Sequence, residues 1–139
     1  MNTAVTHARD THLADRSPRF ERVAVSCVFG NPRDLRSWSG APANVSNAME
    51  RLGVTVEAIH PKLGKMAKLG VALRDMLSGY GRPISSEQVL RSLRARRRMA
   101  HEVARQADAL GVRHVLHTGT LDLPACDLVR GTRHYLYCD

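Results

Sequence analysis

Arg22-Val-Ala-Val-Ser-Cys-Val-Phe29, followed at once by Gly30-Asn-Pro-Arg-Asp34, is the stretch on which the fold turns. The run is short, apolar and rich in β-branched valine, and it stands between polar segments, which is the pattern of a buried strand. Gly, Asn, Pro and Asp then stop it with strong loop chemistry. Working outward, Ala41, Val45, Ala48, Met49 and Leu52 fall on one helical face. Pro42 suits the first turn of that helix, because its missing N–H would be unpaired there anyway. Gly53 supplies the left-handed stop, and Val54–His60 alternates as a second strand.

The same punctuation returns further on. Leu110-Gly111-Val112 repeats the helix-stop-strand junction of Leu52-Gly53-Val54, so Val112–His117 reads as a third strand. Between them, Leu63, Met66, Leu69, Leu73, Met76, Leu77 and Tyr80 share one arc of a second helix, closed by Gly79 and Gly81. Pro83 and the box Ser85-Ser86-Glu87-Gln88 open a third helix running to Leu110. Its expected core side is Val89, Leu90, Leu93, Ala100, Val103, Ala104, Ala107 and Leu110. Thr118–Gly131 reads as a loop with a short helix from Pro124, and Arg133–Cys138 as a fourth strand. Strands alternating with helices predict an α/β fold, a Rossmann-like three-layer sandwich with a mostly parallel sheet. Right-handed crossovers put the first strand between the second and third. The fourth strand ends next to Asp139 without a covering helix, so the sandwich is expected to be incomplete at its carboxy terminus.

Composition agrees with one globular unit. The chain has 139 residues, of which 43% are hydrophobic and 24% charged. Residues 1–20 lack any period and read as a flexible leader, leaving 21–139 as the domain. No apolar run long enough for a membrane span or a signal peptide occurs, and a cytoplasmic protein is expected. The formal charge is +8, and all the basic residues are arginine except Lys62, Lys65 and Lys68. That balance favours anionic partners. Cys27, Cys126 and Cys138 are far apart, and none of the seven histidines stands at metal-ligand spacing, so no metal site is expected.

In a doubly wound sheet the ligand lies outside the carboxyl ends of the strands, where the chain reverses direction. Two loops are singled out, Phe29–Gly40 after the first strand and His117–Asp122 after the third. Arg33, Asp34, Arg36 and Trp38 offer hydrogen bonds and stacking to a sugar or base. Ser39 and Gly40 let a ligand approach the backbone, and the helix start at Ala41 supplies N–H groups that suit a phosphate. GxGxxG and GxxxxGK[ST] do not occur.

Asn31-Pro-Arg-Asp34, then Ser37-Trp-Ser-Gly-Ala-Pro42 and Arg51-Leu-Gly-Val54, resemble the start of bacterial group 1 (family 4) glycosyltransferases of the GT-B fold. His114-Val-Leu-His-Thr-Gly-Thr-Leu-Asp-Leu-Pro124 and His134-Tyr-Leu-Tyr-Cys-Asp139 resemble the later part of the same amino-terminal domain. The resemblance spans residues 22–139, and the helices between its motifs are generic. It implies two Rossmann-like domains around a cleft, the amino-terminal one holding a sugar or glycolipid acceptor. The donor diphosphate would approach Ser39, Gly40 and Ala41. His117 would stand near the transferred sugar as the catalytic residue, with Arg33, Asp34, Arg36, Trp38, Thr118 and Gly119 lining the cleft. The family's double glycine stands here as Ser39-Gly40. The resemblance implies no bound cofactor. A nucleotide sugar would be the co-substrate, held by a carboxy-terminal donor-binding domain that this chain needs as a partner, so the chain alone is expected to be inactive. Polysaccharide biosynthesis is the corresponding setting.

Two other classes stay open. One is a free-standing Rossmann- or flavodoxin-like domain that binds a phosphorylated small molecule. The other is a basic nucleic-acid-binding module, disfavoured because aromatic residues are only 4% and no recognition signature appears. Arg91, Arg94, Arg98 and Arg105 read as a solvated helix face. Arg96 projects toward the apolar side, where it is expected to reach past the sheet edge or to pair with a carboxylate. Lys62, Lys65, Lys68 and Arg74 surround the apolar arc of the second helix. Core packing with snorkelling lysines is the preferred reading there, and peripheral contact with an anionic inner-membrane surface the alternative.

Overall fold

A computed structural model describes residues 21–79, 85–123 and 131–137. Four strands, β1 (Arg22–Ser26), β2 (Thr55–Ile59), β3 (His114–His117) and β4 (Arg133–Leu136), form one sheet in the order β2-β1-β3-β4. Every pairing is parallel. Ser26 of β1 stands opposite Ile59 on one side and His117 on the other, and His117 stands opposite Leu136. The domain is therefore a mixed α/β, Rossmann-like fold whose direction reverses between β1 and β3, as the sequence predicted.

The central strand is buried on both faces, and the period of two divides its side chains. Ala24 and Ser26 point one way, and Val23 and Val25 the other. Helix α1 (Ala41–Arg51) joins β1 to β2 and packs on both strands. Pro42 stands in its first turn, and its buried face is Pro42, Ala43 and Ser46. Helix α4 (Leu93–Leu110) follows the opposite crossover and lies on the other face. There Val103 and Ala107 close on Ala24, Ile59, Val112 and Val115 as one fully apolar core. Burying each such valine is worth about 2 kcal/mol.

Two helices differ from the sequence reading. The long helix expected up to Leu110 is two, α3 (Ser86–Arg91) and α4, broken at Ser92. Ser92 adopts an extended backbone, ends α3 and caps α4 by accepting from the Ala95 N–H at 3.3 Å. The capping box at Ser85 and Gln88 is formed. Leu93, expected in the core, is the first residue of α4 and is 63% exposed.

Helix α2 (Lys65–Leu77) is the larger correction. Of its expected core arc, Leu63 packs inward just ahead of the helix, but Met66, Leu69, Leu73, Met76 and Leu77 face outward, and Val71 and Asp75 face inward. Val71 joins Val89, Ala95 and Met99 in a second core cluster. The carboxylate of Asp75 is neutralised there by the Arg94 guanidinium, which also donates to Ser78 Oγ at 3.0 Å. The part-buried ion pair and the small flank of Ala67, Val71 and Ala72 accompany this orientation, with the long side chains outside. The leader, Tyr80, Pro83, the short helix expected at Pro124, Cys126 and Cys138 lie outside the described residues.

Candidate functional site

Gly30 and Gly40 shape the loop that leaves β1. A Cβ on Gly30 would come within 2.9 Å of Ser37 Cβ, so only glycine lets the loop fold back on itself. Asn31 Oδ1 accepts from the Arg33 N–H at 3.0 Å, and Asp34 Oδ1 accepts from the Arg36 N–H at 2.9 Å, two side-chain turns in succession. The chain then enters the helical turn Ser37–Gly40, in which Trp38 (φ 41°), Ser39 (φ 58°) and Gly40 (φ 78°) are all left-handed. For the two non-glycine residues this costs about 1 kcal/mol or more each. The turn throws the Trp38 indole outward and across to the loop after β3. A Cβ on Gly119 would sit 3.4 Å from Trp38 Cζ3, so the ring lies directly on that glycine.

The loops after β1 and β3 thus meet, and between them and α3 runs an open groove of about 920 Å³. Three aromatic residues edge it: Phe29, Trp38 (ring centroids 5.7 Å apart) and Tyr137. Arg91, Arg96 and Glu87 supply its charge, and Gly119, Thr120, Leu121 and Leu136 complete it. Arg96 Nη2 donates to the Thr120 carbonyl at 3.1 Å, which fixes the far loop to α4. Of the two expectations for Arg96, reaching past the sheet edge or pairing with a carboxylate, the second gives way to this backbone carbonyl. Arg91 and Glu87 form a 2.6 Å ion pair on the exposed side of α3.

Beneath the groove lies a buried polar chain. Ser26 Oγ donates to Asp122 Oδ2. His117 Nδ1 lies 3.1 Å from the same oxygen, close enough for charge attraction but not aligned for a hydrogen bond. On its other side His117 Nε2 shares a 2.8 Å hydrogen bond with His134 Nδ1. Thr118 seals the top, both its N–H (3.1 Å) and its hydroxyl (2.9 Å) donating to the Ser26 carbonyl. Burial and the positive charge that His117 can carry lower the His134 pKa to about 4, against a smaller opposing pull from Asp122. Burial likewise raises the Cys27 thiol, with contact to the Thr118 hydroxyl partly offsetting it.

The residues singled out from sequence fall in three places. Trp38 and Gly119 line the groove. Thr118 and His117 lie under it, both wholly buried, so His117 does not present its ring to a ligand there. Arg33 turns away, donating to the Val56 carbonyl and pairing with Glu50 at 2.9 Å. Asp34 and Arg36 are exposed within the turn, outside the groove lining. Gly40 and Ala41 form the start of α1, with no side-chain cap. Ser26 and Asp122 were not anticipated, although a lone acid between Leu121 and Leu123 is the kind of residue that needs a buried partner. Arg96, Arg91, Glu87 and Tyr137 were also missed as groove residues. The signal for Arg96 was its place on the apolar side of its helix.

Among the described residues no group of three or more His, Cys, Asp or Glu is placed to hold a metal ion. Around His117 the side-chain hydrogen bonds are the separate pairs Ser26–Asp122 and His117–His134. No helix among them is long and apolar enough to cross a membrane. The chain matches no protein-family model, no curated protein and no solved structure.

Proposed function

We propose that this domain is the acceptor-side unit of a sugar transferase, its groove holding a sugar-bearing acceptor. The observation that carries the reading is the seating of Trp38 on Gly119, which joins the two switch-point loops into one wall of a cleft. Aromatic faces stack on the C–H surface of a sugar ring, and Arg and Glu side chains hydrogen-bond its hydroxyls. Arg91 and Arg96 add positive charge for the diphosphate of the departing donor. In this reading the nucleotide sugar belongs to a second α/β unit facing the groove, and Ser39, Gly40 and Ala41 meet its diphosphate. His117 acts as a positioning residue. With Asp122 and His134 it holds the loop 118–122 against Ser26, and so holds Gly119 under the indole.

A second reading, a free-standing binding domain for a phosphorylated small molecule, is favoured by the same two arginines. One titration separates them. Trp38 is the sole tryptophan, so its fluorescence reports the groove alone. Titration with a panel of neutral glycosides and sugar phosphates should give a saturable change with a glycoside. That change should weaken about tenfold in Arg96→Ala, by loss of a charged hydrogen bond. A response to sugar phosphates only transfers the assignment to the second reading. Silence toward every compound overturns both.

A further inference from the structure

We infer that the outward face of α2, together with an arginine recess beside it, docks this domain on an anionic phospholipid surface. Met66, Leu69, Leu73, Met76 and Leu77 are between 46% and 79% exposed. At 100° per residue these five fall within about 100° of the helix circumference, on the side opposite Val71 and Asp75. They form a continuous apolar stripe in water, the reverse of what a core helix does with its longest side chains.

Cations edge the stripe on both flanks. Lys65 begins the helix at one margin, Lys62 lies in the segment just before the helix, and Arg74 stands at the other margin. On the Arg74 side α2 meets α4, and Arg74, Arg94, Arg97 and Arg98 line a recess of about 410 Å³ floored by Gly70 and Val71. Arg94 is anchored by Asp75, while Arg74, Arg97 and Arg98 are exposed. Asp75 is the one carboxylate in α2, and it faces inward. The exposed surface therefore offers apolar area and positive charge with no negative charge to compensate.

An anionic bilayer supplies both complements at once, a hydrocarbon boundary for the stripe and phosphate groups for the arginines. A nucleic acid would take the charge and leave five large apolar side chains in water. A second copy of this chain, joined face to face, would set lysine and arginine against lysine and arginine in a protein already at +8.

Flotation of the full chain with vesicles tests this. It should rise with vesicles of phosphatidylglycerol in phosphatidylcholine, stay behind with phosphatidylcholine alone, and release as salt is raised. Arg97→Glu with Arg98→Glu should weaken binding by at least about twenty-five-fold, taking about a fivefold contribution per surface cation. Leu69→Gln with Leu73→Gln should weaken it as clearly at unchanged charge. All four positions are exposed, and circular dichroism checks that each double variant stays folded. Equal binding to both vesicles, binding to neither, or binding indifferent to either double variant overturns the proposal. So does a dimer abolished by Leu69→Gln with Leu73→Gln, or RNA binding through Arg97 and Arg98 without vesicle binding.

Discussion

His134 shows how a single residue ties fold to conditions. Its ring shares a hydrogen bond with the wholly buried His117, and two imidazoles 2.8 Å apart do not both accept protons cheaply. The unfolded chain takes up the His134 proton near pH 6.5, whereas the folded domain resists it down to about pH 4. Between those values unfolding binds a proton, so stability falls as pH drops through that window and is fully present above it. Urea midpoints measured from pH 7 to pH 4 should decline, and His134→Gln, which keeps a hydrogen-bonding side chain without titrating, should flatten the decline. An unchanged slope in that variant would remove His134 as the cause. The ring was hard to place from sequence. His114 and His117, three apart on β3, face opposite sides of the sheet. The partners of His117, however, lie on β4 and in a loop, and Ser26 is 96 residues from Asp122. No local pattern announces contacts of that span.

At the scale of elements, legibility followed the strength of local punctuation. Gly53 and Gly111 each end a helix in the left-handed conformation and release a strand, and both junctions were readable because only glycine adopts that backbone at no cost. The break at Ser92 was not readable. Serine is a common helix-surface residue as well as a cap, and apolar periodicity continued across it. Helix α2 misled for a different reason. Periodicity locates an apolar arc but does not say that the arc is covered, and here the inward Asp75, paired with a part-exposed Arg94, lies on the side that packs. The turn Ser37–Gly40 yields its own prediction. Ser39 occupies a glycine-like conformation (φ 58°). Ser39→Gly should stabilise the domain by about 0.5–1 kcal/mol, relief of left-handed strain exceeding the entropy cost of glycine. A loss of stability in urea unfolding would show that the serine contributes more than the strain it carries.

For the molecule as a whole, strand order and the position of the groove were legible, because handed crossovers leave few arrangements once four strands and their connections are known. The composition of the groove was less so. Its aromatic edge is drawn from the ends of β1 and β4 and from the left-handed turn, and its charge from α3 and α4, pieces that only the sheet brings together. The account stands on these pieces acting as one ligand surface, separate from the α2 face. Amide and indole chemical-shift mapping with an acceptor glycoside addresses that directly. Shifts should gather on Phe29, the Trp38 indole, Gly119, Thr120 and Tyr137, leaving Leu69, Leu73, Arg97 and Arg98 still. Shifts that gather around Arg97 and Arg98 instead, or that move Trp38 without Gly119, would contradict it.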